Sequence, residues 1–353
     1  MANVRTFYAC QKVALGLPSG SEGGISPQVF TDLTAVQSVG ITSNFNLDPV
    51  YQLGSLDPAE LYEDIPEVEI SLTKAIDENI GIYEAMMGEG TLTSLSDKRS
   101  AVQLTIFPQD YSAGTGVSLS QCLMEPAYLS SITWNFPADG QFTEEATIVS
   151  NTKEWSYNDN EGNNSALSAP VGTGVARRQN FDETGSTLPI GTQALADLSG
   201  RMPGDAKIQN VSVSVDLGRE DIFKLGERLP FTRYINFPVE VTTEFEVISA
   251  SGDLVGVTNP AAQCANPKAL QDLSITLKLC NGLTLNLGNK NKLNSVSTAG
   301  GDAGGDNVTY TYSYINYSSL DYTGPAGVGA SVGNMEPVNL KSFNLQDYNS
   351  KDD

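Results

Sequence analysis

Histidine is missing from this 353-residue chain, and cysteine is scarce. Without histidine the chain lacks the commonest general base, the commonest metal ligand and the partner that activates a catalytic serine or cysteine. The cysteines are far apart and form no CxxC pair, so zinc and thioredoxin-like chemistry are unsupported. Their spacing leaves disulfide pairing open, and we expect isolated structural thiols at Cys10, Cys122, Cys264 and Cys280. The sequence therefore predicts no catalytic, cofactor-binding or metal-ligating residues, no cofactor and no enzymatic activity.

Lysine and arginine are also few. The chain has 20 of them against 42 aspartates and glutamates, which gives a formal net charge of -22. Such a chain repels nucleic-acid phosphates, because nucleic-acid binding needs a cationic surface. Two interpretations remain open. One is a soluble surface whose molecules repel one another, and the other is an anionic surface that contacts a polyanion without holding it.

Long apolar runs are absent as well. No stretch of 18 consecutive apolar residues occurs, and the opening MANVRTFYACQKVALGLPSG has no hydrophobic core of a secretion signal. We therefore expect a soluble chain made in the cytoplasm, without a membrane partner.

Alternation of apolar and polar residues dominates what is present. NVSVSVDL, DLSITLKL and NVTYTYSYINY each place valine, leucine, isoleucine or tyrosine at every second position, which indicates half-buried antiparallel strands. Helical patterns are scarce, and the best candidate is DENIGIYEAMMG at 77–88, with an acidic start and a glycine stop. The fold class predicted is all-β with minor α.

One phrase of 31 residues occurs twice. VQSVGITSNFNLDPVYQLGSLDPAELYEDIP at 36–66 matches IQNVSVSVDLGREDIFKLGERLPFTRYINFP at 208–238 without a gap. A weaker match follows in the same order, between LSSITWNFPADGQFTEEATIV at 129–149 and LNSVSTAGGDAGGDNVTYTYS at 293–313. Repeats of this kind indicate two copies of one unit. The sequence thus predicts four regions: a first β repeat unit with an N-terminal arm at 1–150, a loop-rich insertion at 151–204, a second β repeat unit at 205–320 and a glycine-rich C-terminal arm at 321–353.

Each copy is a strand, a bend at Gly54 or Gly226, a proline and a second strand. Two such ribbons make a four-stranded sheet with free edges, which must be covered or paired. We expect neighbouring subunits to pair them, so that strands at 36–45, 68–75, 208–217 and 239–248 form a ring.

Three stretches carry a resemblance to a known family. VQSVGITSNFNLDPVYQLGSLDPAELYEDIPEVEISLTKAI, YLSSITWNFPADGQFTEEATIVSNTKEW and GERLPFTRYINFPVEVTTEFEVI resemble the major tail tube proteins of tailed bacteriophages. The resemblance implies a β-sandwich or partial barrel whose inner strands complete a β-barrel in a ring, usually a homohexamer. Stacked rings form the tube that conducts double-stranded DNA during genome ejection, and an acidic wall keeps the DNA from sticking. The duplication leaves open a trimer of two-unit subunits that mimics six-fold symmetry.

The resemblance also implies the partners and the location. These are further copies of the chain in stacked rings, tail sheath, tape-measure and baseplate proteins, and DNA in transient, non-specific passage. The location is the virion, in the phage tail, after synthesis in the host cytoplasm. Two alternatives stay open: another tail component of the same fold (tube initiator, terminator or baseplate hub), and a β-sandwich protein that binds or cleaves glycans. The predicted assembly and lumen residues are Val36, Val39, Ile41, Glu67, Glu69, Val211, Ser212, Val213, Ser214 and Glu240.

Other motifs are weaker. GVGASVG at 327–333 departs from the dinucleotide-binding fingerprint and fits a flexible arm better, and GTGVARR at 172–178 fits a surface loop. The acidic pair Glu144 and Glu145 would serve glycoside hydrolysis only if two carboxyls converged on a sugar, which a sequence cannot establish.

Overall fold

The structure is a computed structural model that describes residues 8–16, 30–95, 98–107, 120–157, 174–190, 201–255, 272–300 and 307–325. Within these ranges it has one α-helix, α1 at Ile82–Met87, and short 3-10 turns at Tyr8–Cys10, Leu92–Leu95 and Arg178–Asn180. The strands in chain order are β1 Gln11–Gly16, β2 Phe30–Asp32, β3 Val36–Asn44, β4 Leu47–Tyr51, β5 Pro58–Glu63, β6 Glu67–Ala75, β7 Gly90–Thr91, β8 Ser100–Ile106, β9 Ser120–Pro137, β10 Thr143–Ser150, β11 Glu154–Tyr157, β12 Lys207–Asp216, β13 Arg219–Ile222, β14 Thr232–Ile235, β15 Glu240–Ile248, β16 Thr276–Lys278, β17 Thr284–Asn286, β18 Lys292–Ala299, β19 Thr309–Tyr317 and β20 Asp321–Thr323.

A long antiparallel sheet organises the molecule. Eight of its strands lie in the order β18-β19-β15-β12-β9-β10-β6-β3, which we call the main path. The 18-residue strand β9 extends beyond this path, and its first half pairs with β8 and β11. A separate sheet has the order β16-β17-β20-β7, and two further pairs, β4 with β5 and β13 with β14, are isolated hairpins. The predicted fold class, all-β with a sandwich architecture, is confirmed.

The core lies on one face of the main path. Alternation puts Val213 of β12 and Trp134 of β9 on this face, where both are fully buried. The helix α1 and the four-stranded sheet cover the face, and the Trp134 ring lies 5.6 Å from Tyr83 of α1 and 6.1 Å from Tyr322 of β20, between ring centroids. Large aromatic side chains bury much apolar surface, so this cluster holds the second layer on the sheet.

A buried carboxylate fixes the start of α1. The Glu144 side chain of β10 accepts hydrogen bonds from the backbone N–H groups of Ile82 and Tyr83, at 2.7 and 2.9 Å. These N–H groups have no partner inside a helix, and a carboxylate at this end also suits the helix dipole. Burial raises the pKa of Glu144, against the lowering effect of these hydrogen bonds and of the Lys74 ammonium group.

The helix is shorter than the pattern at 77–88 predicts. Asp77 is fully buried and accepts a hydrogen bond from the Lys74 ammonium at 2.6 Å and another from the Thr34 hydroxyl at 2.6 Å. These contacts hold Asp77 against the sheet, so the helix begins only after Gly81. The predicted glycine stop is confirmed, because Gly88 follows the helix with a positive φ of 87°.

The duplication seen in the sequence is present in the sheet. The first unit has the order β3-β6-β10-β9, and the second has the order β12-β15-β19-β18, so each strand has a counterpart. The irregularities match as well. The pairing of β3 shifts between Val36 and Ser38, and that of β12 shifts between the equivalent Ile208 and Asn210. Bulges in the same place twice indicate one ancestral backbone path.

The structure corrects the alignment at the end of the second copy. Thr147 pairs with Ser131 in the first unit, whereas Ser313 pairs with the equivalent Ser295 in the second. The counterpart of Thr147 is therefore Ser313, not Thr311, because the second turn is two residues longer. Both units share one continuous sheet, and the predicted regional boundaries remain predictions. The candidate arm at 321–353, with its GVGASVG motif, lies mostly outside the described residues.

Candidate assembly surface

The second face of the main path is polar. Ser214 of β12 lies on it, opposite to the buried Val213, and pairs with Thr133 of β9 and Thr242 of β15. Directly paired residues of antiparallel strands share a face. The polar surface therefore continues from strand to strand across both repeat units.

Glutamates dominate the charge of this polar face. On β6, β10 and β15 the residues of this face include six glutamates and no lysine or arginine: Glu67, Glu69, Glu145, Glu240, Glu244 and Glu246. They are exposed or half-buried, and their neighbours across the strands are mostly serine, threonine and asparagine. A polyanion that approached this surface would be repelled.

The predicted assembly residues divide between the two faces. Glu67, Glu69, Ser212, Ser214 and Glu240 lie on the polar face. The apolar residues Val211 and Val213 are buried in the core, whereas Val36, Val39 and Ile41 are half-buried and pack against its margin. Their roles in assembly or in lining a channel remain predictions.

Sequence reasoning missed three glutamates of this face. Glu244 and Glu246 alternate with buried residues in VEVTTEFEVI, and the same alternation could have identified them. Glu145 also alternates, but its neighbour Glu144 conceals the pattern because it is a charged residue on the buried face. The two carboxyls point to opposite faces of β10, so this arrangement does not provide the converging pair of a glycosidase.

Both ends of the main path are open within the described residues. In the described part of the chain, β3 pairs with β6 alone and β18 pairs with β19 alone. Neither strand contains proline, and β3 contains no charged residue, so two common protections of an edge are missing there. Val39 and Ile41 are only half-buried, although their counterparts Val211 and Val213 are fully buried.

Two hairpin arms leave the sheet at one end. The first arm contains β4 and β5, the second contains β13 and β14, and both follow strands that run in the same direction. At their tips Leu53 and Leu225 are fully exposed, and each precedes a glycine with a φ near 90°. The arms lie side by side, and the Arg228 guanidinium of the second donates to the Glu63 carbonyl oxygen of the first at 3.4 Å. They thus present large apolar side chains to the outside.

The opposite end of the sheet carries an apolar recess. It lies at the end of β9 and the start of β12, whereas the second arm leaves after the last residue of β12. Phe136, Phe142, Phe181 and Ile190 line it, together with Arg178. The first arm, residues 45–66, contains five acidic residues and no basic ones. Both ends of the molecule are therefore apolar, with the acidic first arm at one end and Arg178, Lys207 and Glu183 around the recess at the other.

The described residues include no helix long and apolar enough to cross a membrane. Across the same ranges, no three cysteine, aspartate or glutamate side chains gather as metal ligands.

No family model matches this chain, and no curated protein matches it. Among solved structures, Hcp1 from Flavobacterium johnsoniae is similar with 15% sequence identity and a TM-score of 0.24, over 42% of this chain and 96% of that chain. A second similar structure, described as Hcp protein, has 12% identity and a TM-score of 0.23, over 41% of this chain and 98% of that one. At these TM-scores the likeness carries no information about the function of this chain.

Proposed function

We propose that this chain is a structural subunit of a bacteriophage tail tube. Copies of it join edge to edge into rings, and the rings stack into a hollow tube that conducts the genome during ejection. The observation that carries the proposal is the main path itself, an eight-strand sheet with one acidic face and two open edges. The chain acts through shape and charge, without catalysis and without a cofactor.

The open edges support ring formation. An edge strand presents unpaired backbone N–H and C=O groups, and closing a sheet into a barrel removes all such edges. Each chain supplies two repeat units, so the six-unit ring implied by the resemblance needs three chains. The ring is then a trimer with three-fold symmetry, and its six similar repeat units give the arrangement of strands an approximate six-fold symmetry.

The acidic face supports the role as a channel wall. In a closed ring it is the face that lines the bore, because the opposite face is covered by α1 and the four-stranded sheet. DNA carries one negative charge per about 1.7 Å of helix axis, and on this face the six glutamates outnumber the two lysines at its margins, Lys207 and Lys292, so the wall as a whole repels it. The DNA can then slide without being held.

The two ends support stacking. The apolar tips of both arms, and the acidic first arm, face the end of the next ring that carries the recess with Arg178. Contacts between unlike surfaces extend into a filament when neighbouring rings are related by a translation along the tube axis. Sheath, tape-measure and baseplate proteins are the further partners that this role implies, and the phage tail of the virion is its location.

Negative-stain electron microscopy of the recombinant full-length chain tests the proposal. We expect hollow rings and tubes with three-fold symmetry. Rings that never stack would point instead to a tube initiator, a terminator or a baseplate hub. A protein that stays monomeric at high concentration would overturn the proposal, and glycan binding by that monomer would favour the glycan-directed alternative.

A further inference from the structure

The chain already contains one junction between its repeat units. In the sheet, β9 lies at one edge of the first unit and β12 lies at the adjoining edge of the second. These two strands pair in antiparallel fashion over seven residue pairs, from Asn210–Pro137 to Asp216–Ser131. The two open edges of the main path are the counterparts of these strands. The edge β3 is equivalent to β12, and the edge β18 is equivalent to β9.

The equivalence extends to individual residues. β3 and β12 each have a bulge at the equivalent place, because Val36 and Ser38 correspond to Ile208 and Asn210. This match fixes the difference in residue number between equivalent residues of the two strands. On the other side, β9 skips a residue between Leu129 and Ser131, and β18 skips one between Leu293 and Ser295. The two open edges therefore have the local backbone path of two strands that already pair.

We infer that β18 of one copy pairs with β3 of the next copy in the register of the internal junction. Ser214 pairs with Thr133 inside the chain, and their counterparts are Thr42 and Ser297. The same offsets pair Ser43 with Val296, as Val215 pairs with Ile132. The inference deepens the proposed function, because it specifies the seam between the chains of a ring.

This seam meets the needs of both edges. It gives the backbone groups of β3 and β18 the partners that they lack in the described chain. It also covers Val39, Ile41 and Val296, which are half-buried at the margin of the core, in the way that Val211 and Val213 are covered at the internal junction. Thr42 and Ser297 then continue the polar face from one chain to the next.

A symmetric pairing of β3 with a second β3 meets these needs less well. It would form a closed dimer and leave both β18 edges open. The head-to-tail seam uses every edge once, and it places unlike strands together, as the chain does internally.

Disulfide cross-linking tests the seam. Two variants carry cysteine pairs across it, Thr42→Cys with Ser297→Cys and Ser43→Cys with Val296→Cys, in a chain whose Cys264 and Cys280 are replaced by serine. The matched internal pairs, Ser214→Cys with Thr133→Cys and Val215→Cys with Ile132→Cys, have the same pairing geometry within one chain. Successive residue pairs of antiparallel strands alternate between hydrogen-bonded and non-hydrogen-bonded pairs, which differ in Cα separation. The internal pair that oxidises faster therefore identifies the seam pair whose cross-linking rate is the informative one.

We expect that seam pair to link separate chains within about tenfold of the rate of its internal counterpart, because disulfides need matched Cα and Cβ positions. Thr42→Cys combined with Ser295→Cys, two residues out of register, should link at least about tenfold more slowly. Equal linking by the out-of-register pair, or dimers of Thr42→Cys alone, would overturn the inference.

Microscopy of the same samples separates the two proposals. If tubes form but the seam cross-link does not, the inferred register of β18 with β3 is wrong, while the proposed tube function still holds. Monomers without rings would reject both.

Discussion

At the scale of single residues, Glu144 determines how the second layer attaches to the sheet. It is a buried acid whose two oxygens both bind the first turn of α1, and burial raises its pKa. In the unfolded chain Glu144 has its ordinary pKa, which is lower than its pKa in the folded chain. The folded state is therefore favoured by Glu144 at low pH, and this advantage is lost as the pH rises from the unfolded pKa to the folded one.

The variant Glu144→Gln removes this titration while keeping the shape of the side chain. We expect the free energy of unfolding of the variant, relative to the natural chain, to shift in favour of the variant as the pH rises from 4.5 to 7. Urea unfolding at a series of pH values measures this difference. Glu145→Gln, on the exposed face of the same strand, controls for the loss of one carboxylate. A difference for Glu144→Gln that stays constant or reverses with pH would contradict the assignment.

At the scale of elements, the two hairpin arms end in apolar tips that are fully exposed. Their apolar tips, Leu53 and Leu225, contact little of their own molecule, and an exposed apolar patch of this kind marks an interaction site. The double variant Leu53→Asp with Leu225→Asp should leave the rings intact and abolish tubes, because a buried unpaired charge costs several kcal/mol, roughly 2 to 4.

Sedimentation velocity and electron microscopy measure the loss of stacking. The control is Gln52→Asp with Lys224→Asp, which places a negative charge next to each leucine, in one arm on a neutral position and in the other in place of a cation, and keeps both apolar side chains. Tubes of normal length in the leucine variant would show that the arms do not mediate stacking.

The positions of four strands of the main path could be predicted from the sequence. Strands expected at 36–45, 68–75, 208–217 and 239–248 agree with β3, β6, β12 and β15 to within about a residue, since alternation over nine residues is a strong signal. The alternation in DLSITLKL predicted β16 of the four-stranded sheet, but the sheet itself could not be predicted, because its strands have two or three residues each and come from distant parts of the chain.

The arms were hidden for a different reason. All residues of β4 and β5 are exposed, so no alternation reveals them, and Pro49 within β4 argues against a strand. The acidic face was predicted only in part, since its extent depends on which strands are neighbours. Pairing across β9 and β10 brings Glu145 onto the surface that also holds Glu69 and Glu244.

At the scale of the whole molecule, charge and shape act together. The net charge of -22 could by itself mean no more than a soluble surface, but the sheet collects six glutamates on one face. We expect tubes of the natural chain to retain no double-stranded DNA. Tubes of the double variant Glu69→Lys with Glu244→Lys should retain it, with an affinity that falls with salt by a log–log slope of about -0.9 for each phosphate contacted.

Co-sedimentation of tubes with labelled DNA, at low and high salt, measures this retention. The matched control is Glu78→Lys with Glu89→Lys, which makes the same change in net charge at exposed positions outside the six-glutamate face and outside the recess. If both variants bind DNA equally, overall charge is responsible and the face has no special role.

The internal junction of β9 with β12 has a consequence for how such a particle begins to grow. A covalent link holds its two strands at an effective concentration in the millimolar range, so every second contact around a circle forms without a collision. Three chains then need only two encounters, because the third seam closes within the assembly, and growth can begin in a dilute solution. The two halves of the chain also alternate around the circle, so whatever docks on the exterior finds three equivalent positions, not six.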